Sequence, residues 1–172
     1  MITKEHTLKT TAIYSDNQKY RYSLTKVWDK DKPKAMFIGI NPSDATELLM
    51  DKTVMNLMNH LISNGYGMVE IVNLFAYRSK EQDGLINRDD KFEKVNMQYV
   101  RQALRGSELI IVGWGRDAEK KAKYRSALNT IKKEIFPFKD RVKCFQDKKE
   151  NVNCHLSVGY SDEWSLVSYP FV

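Results

Sequence analysis

Cysteine is nearly absent from this chain. Only Cys144 and Cys154 occur among its 172 residues, too few for a disulfide framework, and they fit a reducing compartment. No CxxC or HxxxH spacing accompanies them or His155, so no metal centre is expected. Long apolar runs are missing too. Nothing approaches the roughly 18 consecutive apolar residues of a membrane span, and the opening MITKEHTLKTT has no apolar stretch of a secretory signal. A soluble, cytoplasmic protein with no membrane partner is expected. The common nucleotide and hydrolase signatures are lacking as well: no GxxxxGK(S/T) phosphate loop, no GxGxxG, GxSxG or HExxH, no kinase set. Their absence argues against triphosphate, dinucleotide, serine-hydrolase and zinc-protease chemistry, and no cofactor is implied. There are no repeats, low-complexity tracts or linkers. The length suits one domain over residues 1–172, able to bury roughly 70% of the surface its unfolded form exposes.

Charge of one sign is unevenly supplied. The net charge is +6 and the isoelectric point about 9.2. From Arg101 to Lys149 there are 14 lysines and arginines against 6 aspartates and glutamates, an excess of +8, which leaves −2 for the rest of the chain. A localised positive field is the footprint of a phosphate-rich partner. A charge run on a helix also arises simply as a solvated face.

The patterning alternates strands with helices. TLKTTAIYS and YRYSLTKVW flank the turn cluster DNQK and predict a hairpin. Its second arm places Tyr20, Tyr22 and Leu24 on one face and Arg21, Ser23 and Thr25 on the other, as in a partly exposed pair at a sheet edge. AMFIGI is a continuous apolar run, as buried parallel strands are. Val54, Leu57, Met58, Leu61 and Ile62 make a helical stripe between an Asp51 cap and an Asn64-Gly65 stop, with His60 off the stripe and at the surface. MVEIVNLF, ELIIVGW and RVKCF read as further strands. A charged loop with Asp83-Gly84 precedes a helix capped by Asp89 or Asp90, in which Asn96 anchors a loop. A basic helix buries Tyr124, Leu128, Ile131 and Ile135. The tail from Gln146 reads as irregular. The expected fold is therefore α/β. It has a central, mainly parallel four-stranded sheet between helical layers, and an N-terminal hairpin.

In such sheets ligands bind beyond the carboxyl ends of the strands. Three segments fall there: the loop from Gly39 through Asn41, Pro42, Ser43 and Asp44; Asn73; and Gly113-Trp114-Gly115. Pro42 fixes its own φ and pushes Asn41 out of the helical region, which holds the Asn41 amide in one pose. Asn-Pro is equally a common turn dipeptide. Asn73 interrupts an apolar strand. Its amide must be satisfied by a planar ligand or by a neighbouring loop. Gly113 and Gly115 let the backbone approach another group closely.

These residues carry a resemblance. FIGINPSDA is similar to the first motif of the uracil-DNA glycosylase superfamily, and IVNLFAYR resembles its strand with a base-reading asparagine. YRYSLTKVWD, INPSDAT, DKTVMNLMNHLISNGYG, VEIVNLFAYRS and VGWG together resemble a bacterial and phage family, domain of unknown function 1643, which is grouped with that fold. The resemblance runs from Tyr20 to Trp114 and more weakly to His155. It implies a three-layer α/β/α uracil-DNA glycosylase-like domain. It also implies roles: Asn41 positions the attacking water, Asn73 reads the base edge, and His155 hydrogen-bonds the departing base. Phe75 or Trp114 stacks on the base, and Arg78, Arg116 and Lys120 take phosphates. One departure stands out: both families have His-Pro where this chain has His155-Leu156. The implied partner is nucleic acid, DNA first, or a nucleobase or nucleotide ligand. The implied function is recognition, and in the fuller case excision, of a modified or mismatched base by N-glycosidic hydrolysis. A non-enzymatic base- or DNA-binding module and an enzyme of free nucleosides or nucleotides are the alternatives.

Overall fold

A computed structural model describes residues 1–79, 85, 88–157 and 159–171. The expected Asp83-Gly84 turn lies outside them. The described strands are β1 (Lys9–Tyr14), β2 (Arg21–Val27), β3 (Lys34–Gly39), β4 (Met68–Asn73), β5 (Leu109–Val112), β6 (Val142–Gln146) and β7 (Ser165–Ser168); the helices are α1 (Lys52–Ser63), α2 (Asp90–Arg105), α3 (Arg116–Glu119) and α4 (Arg125–Ile135). All seven strands form one sheet in the order β1-β2-β4-β3-β5-β6-β7. β4, β3, β5 and β6 pair in parallel, while β1–β2, β2–β4 and β6–β7 are antiparallel. The protein is mixed α/β as expected. The four strands read from the sequence are the middle of a wider, mixed sheet.

The middle strands are largely apolar because both of their faces are covered. Met36, Ile38, Val72, Ile110 and Val112 pack with Val100 and Leu104 of α2 and with Leu128 and Ile131 of α4. Their alternates Ala35, Phe37, Val69, Ile71 and Ile111 pack with Val54, Leu57 and Leu61 of α1. α1 begins where the Asp51 carboxylate accepts the Val54 N–H at 2.8 Å, and Gly65 turns the chain away at φ +81°. Ile62, though on the expected stripe, stays exposed. The basic helix is broken into α3, a short 3-10 turn at Ala122–Tyr124, and α4, with its four expected inward residues buried.

The hairpin is an antiparallel pair at the sheet edge as expected, with β1 outermost and partly exposed and β2 buried along most of its length between β1 and β4. Three expectations are corrected. The alternation of β2 is broken. Ile13 pairs with Ser23 but Tyr14 pairs with Arg21, so Tyr22 is an extra residue, a β-bulge. Tyr22 therefore stacks on Tyr99 of α2, Leu24 joins the α1 cluster, and Arg21 turns toward the α1 face. Second, the tail is not all irregular: β7 pairs with β6, and Trp164 and Tyr169 around it are buried. Third, His60 is half-buried, edge-on to Phe145 and with its Nδ1 3.3 Å from the Tyr160 hydroxyl. No described helix is long and apolar enough to cross a membrane.

Candidate functional site

β3 and β4 run in parallel and in register, Gly39 beside Asn73, so the loop after β3 and the end of β4 meet at one edge of the sheet. The meeting is close. A Cβ on Gly39 would lie 2.7 Å from the Asn73 amide, so only glycine lets that side chain lie across the strand. Assigned by its hydrogen bonds, the Asn73 amide nitrogen donates to the Asn41 carbonyl at 3.1 Å. The Asn73 carbonyl in turn accepts the Asn96 amide at 2.9 Å, so Asn96 anchors this corner. The Asn41 amide nitrogen donates to the Ser79 carbonyl at 2.8 Å and to the Pro42 carbonyl at 3.3 Å. What Asn41 has left to offer is its side-chain oxygen, an acceptor.

A cavity of about 310 Å³ opens here, with Asn41, Ser43, Asn73, Ser79, Arg21 and His155 in its wall. Gly39, Pro42 and Asp44 complete the loop side. His155 arrives from the far end of the chain. Arg116 donates its N–H to the Asn153 carbonyl at 2.8 Å, and Gly115, at φ +77°, leaves room for His155, whose side chain a Cβ there would meet at 3.3 Å. The His155 Nδ1 accepts the Ser157 N–H at 3.2 Å and faces the Ser157 hydroxyl at 2.7 Å. A ring nitrogen that accepts a backbone N–H carries no proton, so the neutral ring bears it on Nε2. The surrounding protein costs the charged form solvation and holds the imidazole below its ordinary range, with Asp51 opposing. Part of the ring still reaches solvent, so this effect is partial.

A second cavity of about 760 Å³ shares Ile40 and His155 with the first. Trp114, Gly115 and Asn153 are in its wall, and Arg116, Lys121 and Lys149 stand around it. Asn153 is a residue the sequence did not flag. It sits at φ +57° with both amide atoms buried and unpartnered among the described residues.

The remaining expected residues are not brought to this point. Phe75 packs on the α2–α4 side, near Tyr124 and under the Arg88 guanidinium. Trp114 is 2% exposed, with its indole N–H on Glu119 and its ring against Tyr169. Gly113 is set by packing, since a Cβ there would fall 2.0 Å from the Phe37 ring. Of the three expected phosphate ligands, Arg116 stands at the larger cavity and donates to Asn151. Lys120 pairs with Asp117, and Arg78 lies over Tyr14 and donates to the Gln18 carbonyl. Elsewhere in the basic segment Arg101 is paired with Glu134 and Lys132 with Glu119.

Arg21 was also missed. It is 1% exposed. One guanidinium N–H donates to the Ala45 carbonyl, and Nε has no partner among the described residues. Burial works against its charge, and Tyr14 is the largest opposing influence. The available signal was a charged residue between two tyrosines of a strand; the bulge hid that it shares the buried α1 face with Leu24. Among the described residues no three His, Cys, Asp or Glu side chains gather as a metal site. Burial pushes the Cys144 thiol up to about 11, which leaves it inert at neutral pH.

The chain belongs to a family described as a protein of unknown function (DUF1643), whose profile matches residues 21–155, a span that begins at Arg21 and ends at His155. No curated protein and no solved structure is matched by the chain.

Proposed function

We propose that this protein is a uracil-DNA glycosylase-like base-recognition protein. Its parallel core strands and flanking helices correspond to that fold's three layers, and it hydrolyses the N-glycosidic bond of a modified or mismatched nucleobase. The observation that carries the reading is the convergence of Asn41, Asn73 and His155, distant in sequence, on one cavity. A pocket in which apolar side chains, Phe37, Val54, Leu57 and Ile71, stand beside fixed polar groups suits a planar base with polar edges. In the reaction the bond from the base nitrogen to the anomeric carbon breaks, and its electron pair leaves with the base. The His155 Nε2–H meets the negative charge that develops there. A water held by the Asn41 side-chain oxygen adds to the anomeric carbon, and its proton ends on the departed base. The products are a free base and a sugar hydroxyl.

Leu156 argues for the form of the substrate. It is fully buried in the α1 cluster, and its carbonyl accepts the Asn56 amide at 2.7 Å. A side chain so held is not available as a wedge between base pairs. This favours bases that are already unstacked, in single strands or free nucleotides, over those of intact duplex.

The test uses single-stranded oligonucleotides carrying uracil and other modified bases, followed by alkali. Breaks are expected at the modified base, and Asn41→Ala should abolish them at a stability cost of about 1 kcal/mol, chiefly the shorter of its two hydrogen bonds, to the half-buried Ser79 carbonyl. Binding should weaken with salt at a log–log slope of about −2.8 if four phosphates of a single strand are neutralised, and Asn41→Ala should leave that slope unchanged. The slope without breaks on any base would make the protein a binding module. A flat slope without breaks would remove nucleic acid strands and leave free nucleosides or nucleotides.

A further inference from the structure

Arg21 is a buried charge in the cavity wall that the proposed chemistry does not use. It is enclosed, holds one backbone carbonyl, leaves Nε unpartnered and makes no ion pair among the described residues. The two acidic groups whose charge it feels are engaged elsewhere. Glu47 accepts the Tyr14 hydroxyl at 3.2 Å, and Asp51 caps α1. A buried cation without a counter-ion is costly to keep, and a fold retains one where something negative completes it. The cavity wall includes Arg21 together with Thr53 and Val54 in the first turn of α1, a helix of 12 residues whose N-terminal end adds positive potential. Asp51 already takes the Val54 N–H, so that end supplies field and Arg21 supplies the donors. A guanidinium offers a planar fork of N–H groups that matches two oxygens of a phosphate.

We propose that Arg21 is the anion-binding group of the Asn41 cavity and that the ligand places a phosphate there, so the ligand class is nucleotide and not free base or nucleoside. The base half of this statement rests on the function proposed above; the phosphate half rests on Arg21 alone. The phosphate has two sources, a monoester of a free nucleotide or a diester of a strand.

The test is calorimetric binding of deoxynucleoside 3′- and 5′-monophosphates including dUMP, of the matching nucleosides, and of inorganic phosphate, to the wild type and to Arg21→Met. At least one monophosphate should bind tenfold or more tighter than its nucleoside, and the gap should close to about twofold in the variant. The thermal midpoint of ligand-free Arg21→Met should equal or exceed that of the wild type, because an apolar chain of similar length replaces an unpaired buried charge. Equal binding of nucleoside and nucleotide by the wild type overturns the proposal and leaves the base reading standing. A gap that survives in Arg21→Met also overturns it. Inorganic phosphate binding that depends on Arg21, with no nucleoside or nucleotide bound, upholds the anion site and defeats the base reading. No binding of any probe defeats both. Should the methionine variant fail to fold, Arg21→Lys keeps the charge and loses the fork. The gap should then shrink at least threefold, and an unchanged gap overturns the proposal. A single-stranded hexanucleotide that displaces the bound monophosphate identifies the diester; failure to displace it identifies the free nucleotide.

Discussion

Each of three asparagine amides ends on a backbone carbonyl: Asn96 on Asn73, Asn73 on Asn41, Asn41 on Ser79. Asn41 and Asn73 were legible as residues out of place, one in an elbow and one in a strand. Their mutual bond was not, because it depends on register. His155 was reached only through resemblance, since a lone histidine in an irregular tail carries no local signal. Its chemistry gives a pH prediction that it shares with His60. Burial lowers both imidazoles from the ordinary 6.5, with Asp162 opposing at His60 and Asp51 at His155. As pH falls the unfolded chain takes up these protons first. Their contribution to stability is therefore complete above about 6.5 and is lost as pH drops through the folded values. Both ring C–H resonances should titrate with midpoints below 6.5 in the folded protein. A midpoint above that for either ring would remove the burial argument.

Among elements, the apolar strands and the capped helices were readable because their periods are local. The bulge at Tyr22 was not, since one extra residue reverses which side chains share a face: Arg21 lies opposite Tyr20 and Tyr22 as expected, but Leu24 joins it on the α1 side instead of the tyrosines. The basic helix was read as continuous because Tyr124, Leu128, Ile131 and Ile135, which keep a helical spacing, all lie beyond α3, and nothing in the charged run before them marks a stop. Gly113 was legible as a close approach but not as to what approaches. The Phe37 ring occupies the space of its missing Cβ, which packs β5 against β3 next to the cavity. Gly113→Ala should cost about 1–3 kcal/mol, as overpacked cores do, measured by chemical denaturation. Phe37→Leu in the same background should recover part of that loss. A neutral Gly113→Ala would mean that the ring shifts freely.

For the whole molecule, the family span ends at His155, yet the chain beyond it completes the sheet. Trp164 belongs to the α1-side cluster and Tyr169 to the other, so the segment around β7 closes both cores. No apolar run announces it; SLVS is too short and too polar to read as a strand without β6 beside it. A chain ended at Tyr160 loses both aromatics. Removing either ring alone costs about 3–5 kcal/mol, against a total stability of about 5–15. The shortened chain should show no cooperative thermal transition by circular dichroism. A sharp transition would mean that β7 is an ornament of the fold.

The relay of asparagine amides also bears on time. It ties the Asn41 elbow to α2 on one side and to Ser79 on the other, and Leu74 and Phe75 hold it from behind through their N–H groups on Gly39 and Ile40. The described part of the wall, fixed before the ligand arrives, contains no closing step to wait for. In a stopped-flow series, related ligands should enter at similar rates, and their affinities should separate in how long they stay. Arrival rates that saturate with concentration would reveal a rearrangement that this wall does not contain.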